Sequence, residues 1–204
     1  MITTEQETAI RDILATMPTL AVGVGTAEQA CSVAAINLAM TGTLSDTVPD
    51  CMSVVIGRWI IGVQDRMPAT IRDSAAWRDL LPLAAGTGRD HEAERRALVL
   101  DWMWDSLAMV QPRADAQGYG TAWATMLRDR TARAAAAAYA AAAAAAAASA
   151  AAAAAAYAYA AADAAAAAAA AAYADADAWT AIDPVRLLRR LVAVTDARAD
   201  AAEL

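Results

Sequence analysis

The sequence predicts an all-α protein: a compact helical domain, a long Ala-rich helix and a terminal amphipathic helix. Three observations predict it. No segment sustains an alternation of apolar and polar residues between turn residues, so strands have no signal. Helix start and stop signals recur throughout the first 120 residues. Finally, nearly every residue from Ala132 to Ala178 is Ala, the residue of highest helix propensity.

The elements follow in order. Thr4-Glu5-Gln6-Glu7 reads as a capping box opening a helix that runs to about Met17, before Pro18. A second box, Thr26-Ala27-Glu28-Gln29, opens CSVAAINLAMTG, which should stop at Gly42. In SDTVPDCMSVVIGRWIIGVQDRMP, Pro49 fits a first turn and Pro68 a stop, and the apolar middle suits a central helix. Ser74 can cap the shorter, Pro-interrupted SAAWRDLLPLAAG. Asp90 can cap HEAERRALVLDWMWDSLAMVQ, which Pro112 should terminate.

After GYG, from Thr121 to Asp183, the chain has neither Gly nor Pro. The default is one helix of about 57 residues and about 85 Å, which must protrude, fold back at an unmarked break or pack along another chain. Asp183-Pro184 then starts a last helix as N-cap and N1 residue. Its Leu187, Leu188, Leu191, Val192 and Val194 should close an apolar core, with Arg186, Arg189 and Arg190 left in water. The resulting divisions are 1–120, 121–179 and 180–204.

Composition excludes some functions. A net charge of −7 opposes the positive excess that nucleic-acid binding needs. Cys31 and Cys51 form no CxxC pair, and the polar, acidic start MITTEQETAIRD is unlike a signal peptide, so a reducing cytoplasm is expected. All 16 basic residues are Arg, as GC-rich codons would produce, and slippage of a short repeat is the simplest origin of the Ala tract.

On a continuous helix Tyr139, Tyr157 and Asp175 share one meridian, and Tyr159, Asp163, Tyr173 and Asp177 form a second stripe roughly opposite. The flanks between them are almost pure Ala and suit close helix packing, with the Tyr and Asp residues at the seams. Such a surface fits self-association or another helical protein. A membrane span is disfavoured, because Ala adds little insertion energy and no aromatic or basic belt flanks the tract. The tract resembles type I antifreeze proteins in composition only. No Thr occurs between Thr131 and Thr180, so the Thr ladder of an ice-binding face is missing.

Chemistry has few candidates. Asp101 and Asp105, one turn apart in LDWMWDS, could join Arg58 in a pocket as an acid and base pair, although a buried ion pair is the commoner outcome. Cys31 and Cys51 fall near helix starts, where the helix dipole lowers a thiol pKa, and His91 is the single His. No zinc motif exists and no cofactor motif is present. Gly86-Thr87-Gly88-Arg89 could hold an anion at a helix start, but a glycine turn between helices explains it. Five Trp, from Trp59 to Trp123, read as core before they read as pocket.

The strings CSVAAINLAMTG, CMSVVIGRWIIGVQD, LLPLAAGTGRD and ALVLDWMWDSL resemble a group of helical proteins of high-GC bacteria and their phages, which also carry an Ala, Tyr and Asp-rich tail. The resemblance reaches to about Gly120 and implies a helical fold without implying an activity. The tail also resembles, by composition, that of bacterial immunity proteins. The expectation is a noncatalytic interaction or scaffold protein that packs through the Ala-rich helix, probed against a small enzyme or toxin and immunity factor using Asp101, Asp105 and Arg58.

Overall fold

A computed structural model describes residues 2–156 and 176–194. The fold is all-α: among the described residues there is no strand, only an isolated bridge between Gly25 and Ala30. The chain divides into two compact units, Met1–Leu100 with Ala176–Leu204, and Asp101–Asp175. The second unit is an insertion into the first.

In the first unit, α1 (Thr4–Thr16) is capped one residue earlier than expected. Thr3, not Thr4, accepts the Gln6 N–H at 3.2 Å, and Gln6 Oε1 accepts the Thr3 N–H at 2.9 Å. The Thr26 box opens no helix. Its residues close a turn, with the Thr26 N–H donating to the Gln29 carbonyl at 2.9 Å, while Gly23 and Gly25 take left-handed backbone. Helix α2 (Ser32–Thr41) starts instead at Cys31, whose Sγ accepts the Ala34 N–H at 3.4 Å, and it ends on left-handed Gly42 as expected.

Helix α3 (Val54–Gln64) begins after Ser53, and Pro49 lies in the turn before it. At Gly57 a Cβ would approach Val48 Cγ1 to 2.5 Å, so the absent side chain lets that loop lie against the helix. The short helices α4 (Ala69–Arg72), α5 (Ala75–Arg78) and α6 (Leu80–Ala85) follow, with Ser74 capping α5. Helix α7 (Glu92–Ala108) starts two residues after Asp90, because His91 takes a left-handed φ of 61°. The chain re-enters the first unit with α11 (Ala176–Ile182) and α12 (Pro184–Ala193).

The core of this unit is built from large side chains. Ile10, Ile36, Ile56, Leu81 and Trp77 are buried, and the Trp59 and Trp77 rings stand 6.0 Å apart. Helix α12 packs on α3 and α6 through Leu187, Leu188 and Leu191, while Arg186, Arg189 and Arg190 stay exposed, as the amphipathic pattern predicts.

In the second unit, Pro112 opens rather than ends a helix: it sits in the first turn of α8 (Gln111–Ala116), where its missing N–H costs nothing. The single long helix expected from Thr121 is also corrected. Helix α9 (Gly120–Asp129) stops at Arg130, which takes φ 48° and ψ 38°, and α10 (Ala132–Ala156) starts after Thr131. Thr131 Oγ1 accepts the Ala134 N–H at 3.2 Å as its cap. Burial explains why a chain without Gly or Pro turns here. Ala134 and Ala138 of α10 are buried with Met126 of α9, and Trp104, Leu107, Trp123 and Leu127 pack around them. An uninterrupted helix would forfeit that cluster.

Candidate functional site

The three residues considered for acid and base chemistry do not share a site within either unit. Arg58 belongs to the first unit and is exposed on α3. Asp101 and Asp105 belong to the second, and both are exposed. Asp101 lies 3.9 Å from Arg130 Nη1, and the Arg130 guanidinium sits 5.7 Å from the Trp104 ring centroid. That arrangement places a cation over an aromatic face at the helix break. Its evident product is a held left-handed residue rather than a proton transfer.

The thiols are equally unsuited to attack. Burial, the largest influence, pushes the Cys31 thiol up from its ordinary value against the amide of Ala34. Burial likewise raises half-buried Cys51, whose Sγ donates to Met40 Sδ at 3.7 Å. The helix-start lowering expected from sequence is thus outweighed by desolvation. His91 Nδ1 stands 3.8 Å from Glu94 Oε1. Among the described residues no group of three His, Cys, Asp or Glu side chains could hold a metal ion, and no helix is long and apolar enough to cross a membrane.

The glycine turn is occupied by its own chain. The Gly86 N–H donates to Leu83, Thr87 N–H to Ala84 and Gly88 N–H to Cys51, all at carbonyl oxygens. Amides engaged in this way cannot cradle an anion. A hollow of about 430 Å³ beside Arg11 and Arg78 is similarly spoken for. Arg78 Nη1 donates to the Leu14 and Met17 carbonyls at 2.7 and 2.8 Å, closing the end of α1.

The most constrained polar group is one that sequence reading passed over. Arg95 is fully buried on α7 and donates to three carbonyls: Asp90, Thr87 at 3.3 Å and Leu191 at 3.3 Å. Burial lowers its pKa most, and nearby Glu92, Asp90 and Glu94 oppose that lowering. Beside it the Glu92 carboxylate accepts the N–H groups of Val54 and Val55 at 2.8 and 3.1 Å, capping α3 from another helix. Gln64 plays a comparable part, accepting the Ser32 N–H at 2.9 Å and donating to the Ala21 carbonyl at 2.8 Å. A signal for Arg95 was present: at helical spacing it shares a face with Val99 and Trp102, where a charge needs internal partners.

What remains is the surface of α10. Ala134 and Ala138 are buried, whereas Tyr139 is 77% exposed, and Ala143, Ala144 and Ala146 to Ala148 face solvent. Helix α10 has 25 residues against 10 in α9, so α9 can flank only its first part. Of the two stripes, Tyr157, Tyr159, Asp163, Tyr173 and Asp175 lie outside the described residues, and Asp177 falls within the backbone of α11. Comparison with known protein families, curated proteins and solved structures finds no match. Functional reading therefore rests on the arrangement of side chains.

Proposed function

We propose that the protein is a noncatalytic helical scaffold or interaction protein, and that it packs through its Ala-rich helix against a second copy or another helical protein. One observation carries the reading. The first turns of α10 already make a helix contact in which Ala134 and Ala138 are the buried side chains, and the same residue type continues along the helix onto exposed positions. Small side chains allow close axial approach, so a further helix can use the later positions as α9 uses the first.

Light scattering on the full chain should give the mass of a dimer or larger oligomer. Removing residues 143–160, which leaves Ala134 and Ala138 in place, should return the protein to monomer mass. Unchanged mass behaviour after that deletion would reject the proposal.

A further inference from the structure

We propose that the hollow at the α11 to α12 corner binds a primary amine with an apolar body, and that Trp179 and Asp183 recognise it. The site lies in the first unit and uses none of the Ala surface.

The hollow holds about 320 Å³, at the lower end of the range of small-molecule sites. Its apolar side includes Ile71, Pro184 and the half-buried Trp179, and its polar side includes Thr70, Ser74 and Asp183. Among the described residues no Arg borders it. The corner therefore sets one carboxylate and a few hydroxyls against an indole.

These polar groups discriminate between ligands. The Ser74 hydroxyl donates to the Ile71 carbonyl at 2.7 Å and accepts the Trp77 N–H at 3.2 Å, so what it has left is a lone pair. Asp183 Oδ1 accepts the Arg186 N–H at 2.9 Å, and the carboxylate meets no cation among the described residues. Both groups can only accept, which suits a donor. The Asp183 N–H donates to the Trp179 carbonyl at 3.2 Å, so the carboxylate residue stands one helical turn from the indole. The Trp179 ring makes no hydrogen bond or ring contact among the described residues, and an indole face attracts a cation. A charged donor is the ligand that satisfies all of these groups at once.

An anion is the rival, because the start of α12 opens on the same corner. That start is nearly spent: Pro184 has no N–H, and the Arg186 and Leu187 N–H groups go to Asp183 at 2.9 and 3.2 Å. An anion would also face the Asp183 carboxylate.

The backbone explains why these groups meet. Asp183 has φ 40° and ψ 71°, a left-handed conformation that costs energy in a residue with a Cβ, and it precedes Pro184, which favours extended backbone before it. Capping does not require this, since an N-cap residue is ordinarily extended. What the turn achieves is the corner itself: with one residue between α11 and α12, Trp179 and Pro184 border the same hollow. Strain of this kind collects where ligands are held. The ammonium must come from outside the side chains of this protein, because all 16 basic residues are Arg.

Titration calorimetry on the full chain measures the affinity, and the indole N–H resonance of Trp179, assigned with Trp179→Leu, locates the ligand. Phenethylamine should bind saturably and shift that resonance, while phenethyl alcohol, with the same body and no charge, should bind about tenfold more weakly or worse. Asp183→Asn keeps a capping side chain on a residue that tolerates left-handed backbone, so the fold stands and phenethylamine affinity should fall about tenfold. N-acetyl-lysine methylamide tests the other source of an ammonium. Binding tighter than that of phenethylamine assigns the site to a lysine of a protein partner, and weaker binding assigns it to a free amine. The proposal is overturned if neither amine binds saturably, if phenethyl alcohol or hydrocinnamate binds as well as phenethylamine, or if Asp183→Asn binds it as the parent does.

Discussion

The two units hold themselves together by different means. In the first, Trp, Ile and Leu fill the interior, and the irregular loops are tied by buried polar side chains: Arg95 to three carbonyls, Gln64 to the 21–32 loop, Arg78 to the end of α1. In the second, a helical hairpin closes on Met126 and two alanines, with aromatic rings around them. A unit with many loops needs internal donors and acceptors for loop backbone groups, whereas consecutive helices satisfy their own. The difference teaches where sensitivity to substitution should lie.

The sharpest break is Arg95→Met. It leaves the buried Thr87 and Leu191 carbonyls, and the partly buried Asp90 carbonyl, without their donor, at about 1–3 kcal/mol for each unsatisfied buried group, so a loss of about 2 kcal/mol or more is expected in urea unfolding. A loss below about 1 kcal/mol would mean that the polar ties are not what secures the first unit.

Within the second unit, Ala138→Leu should cost about 1–3 kcal/mol by overpacking a fully buried site, while Ala144→Leu on the exposed side of the same helix should stay within about 0.5 kcal/mol. Equal effects at the two positions would contradict the assigned packed face. Thr131→Ala removes the cap of α10 and should cost about 1 kcal/mol, read as a lower melting temperature.

A smaller effect concerns pH. The folded-state pKa of Cys31 is raised by burial, so its contribution is complete below the ordinary thiol range and is lost as pH rises through the higher folded value. Stability should therefore decline on the alkaline side, and a Cys31→Ser control should show less of that decline. Iodoacetamide at neutral pH should leave Cys31 unmodified in the folded chain. The smallest expected change is Tyr139→Ala, at less than about 0.5 kcal/mol of monomer stability, because the side chain is 77% exposed. A large loss of stability there would mean that Tyr139 is packed.

Much of the fold could be read from local signals. Gly42, Ser74, and Asp183 with Pro184 mark helix ends by backbone chemistry that acts within a few residues, and the leucines of α12 show their periodicity directly. The box at Thr26 misled because the same residues also close a turn when glycines flank them. The break at Arg130 carried no local signal. It arises from burial of residues distant in the chain, Trp104 with Ala138, which no local propensity encodes. The candidate site was less legible still: Asp101 could be placed on a helix, but its neighbour Arg130 follows from that same unmarked turn.

Re-entry of the chain has a consequence for synthesis. The groove on α3 and α6 is complete once α6 has been made, yet the leucines that fill it come only after the whole inserted stretch Asp101–Asp175. At about 5–20 residues per second that interval is roughly 4–15 s. For that time a nascent chain presents an open apolar slot, and the alanines set the length of the wait.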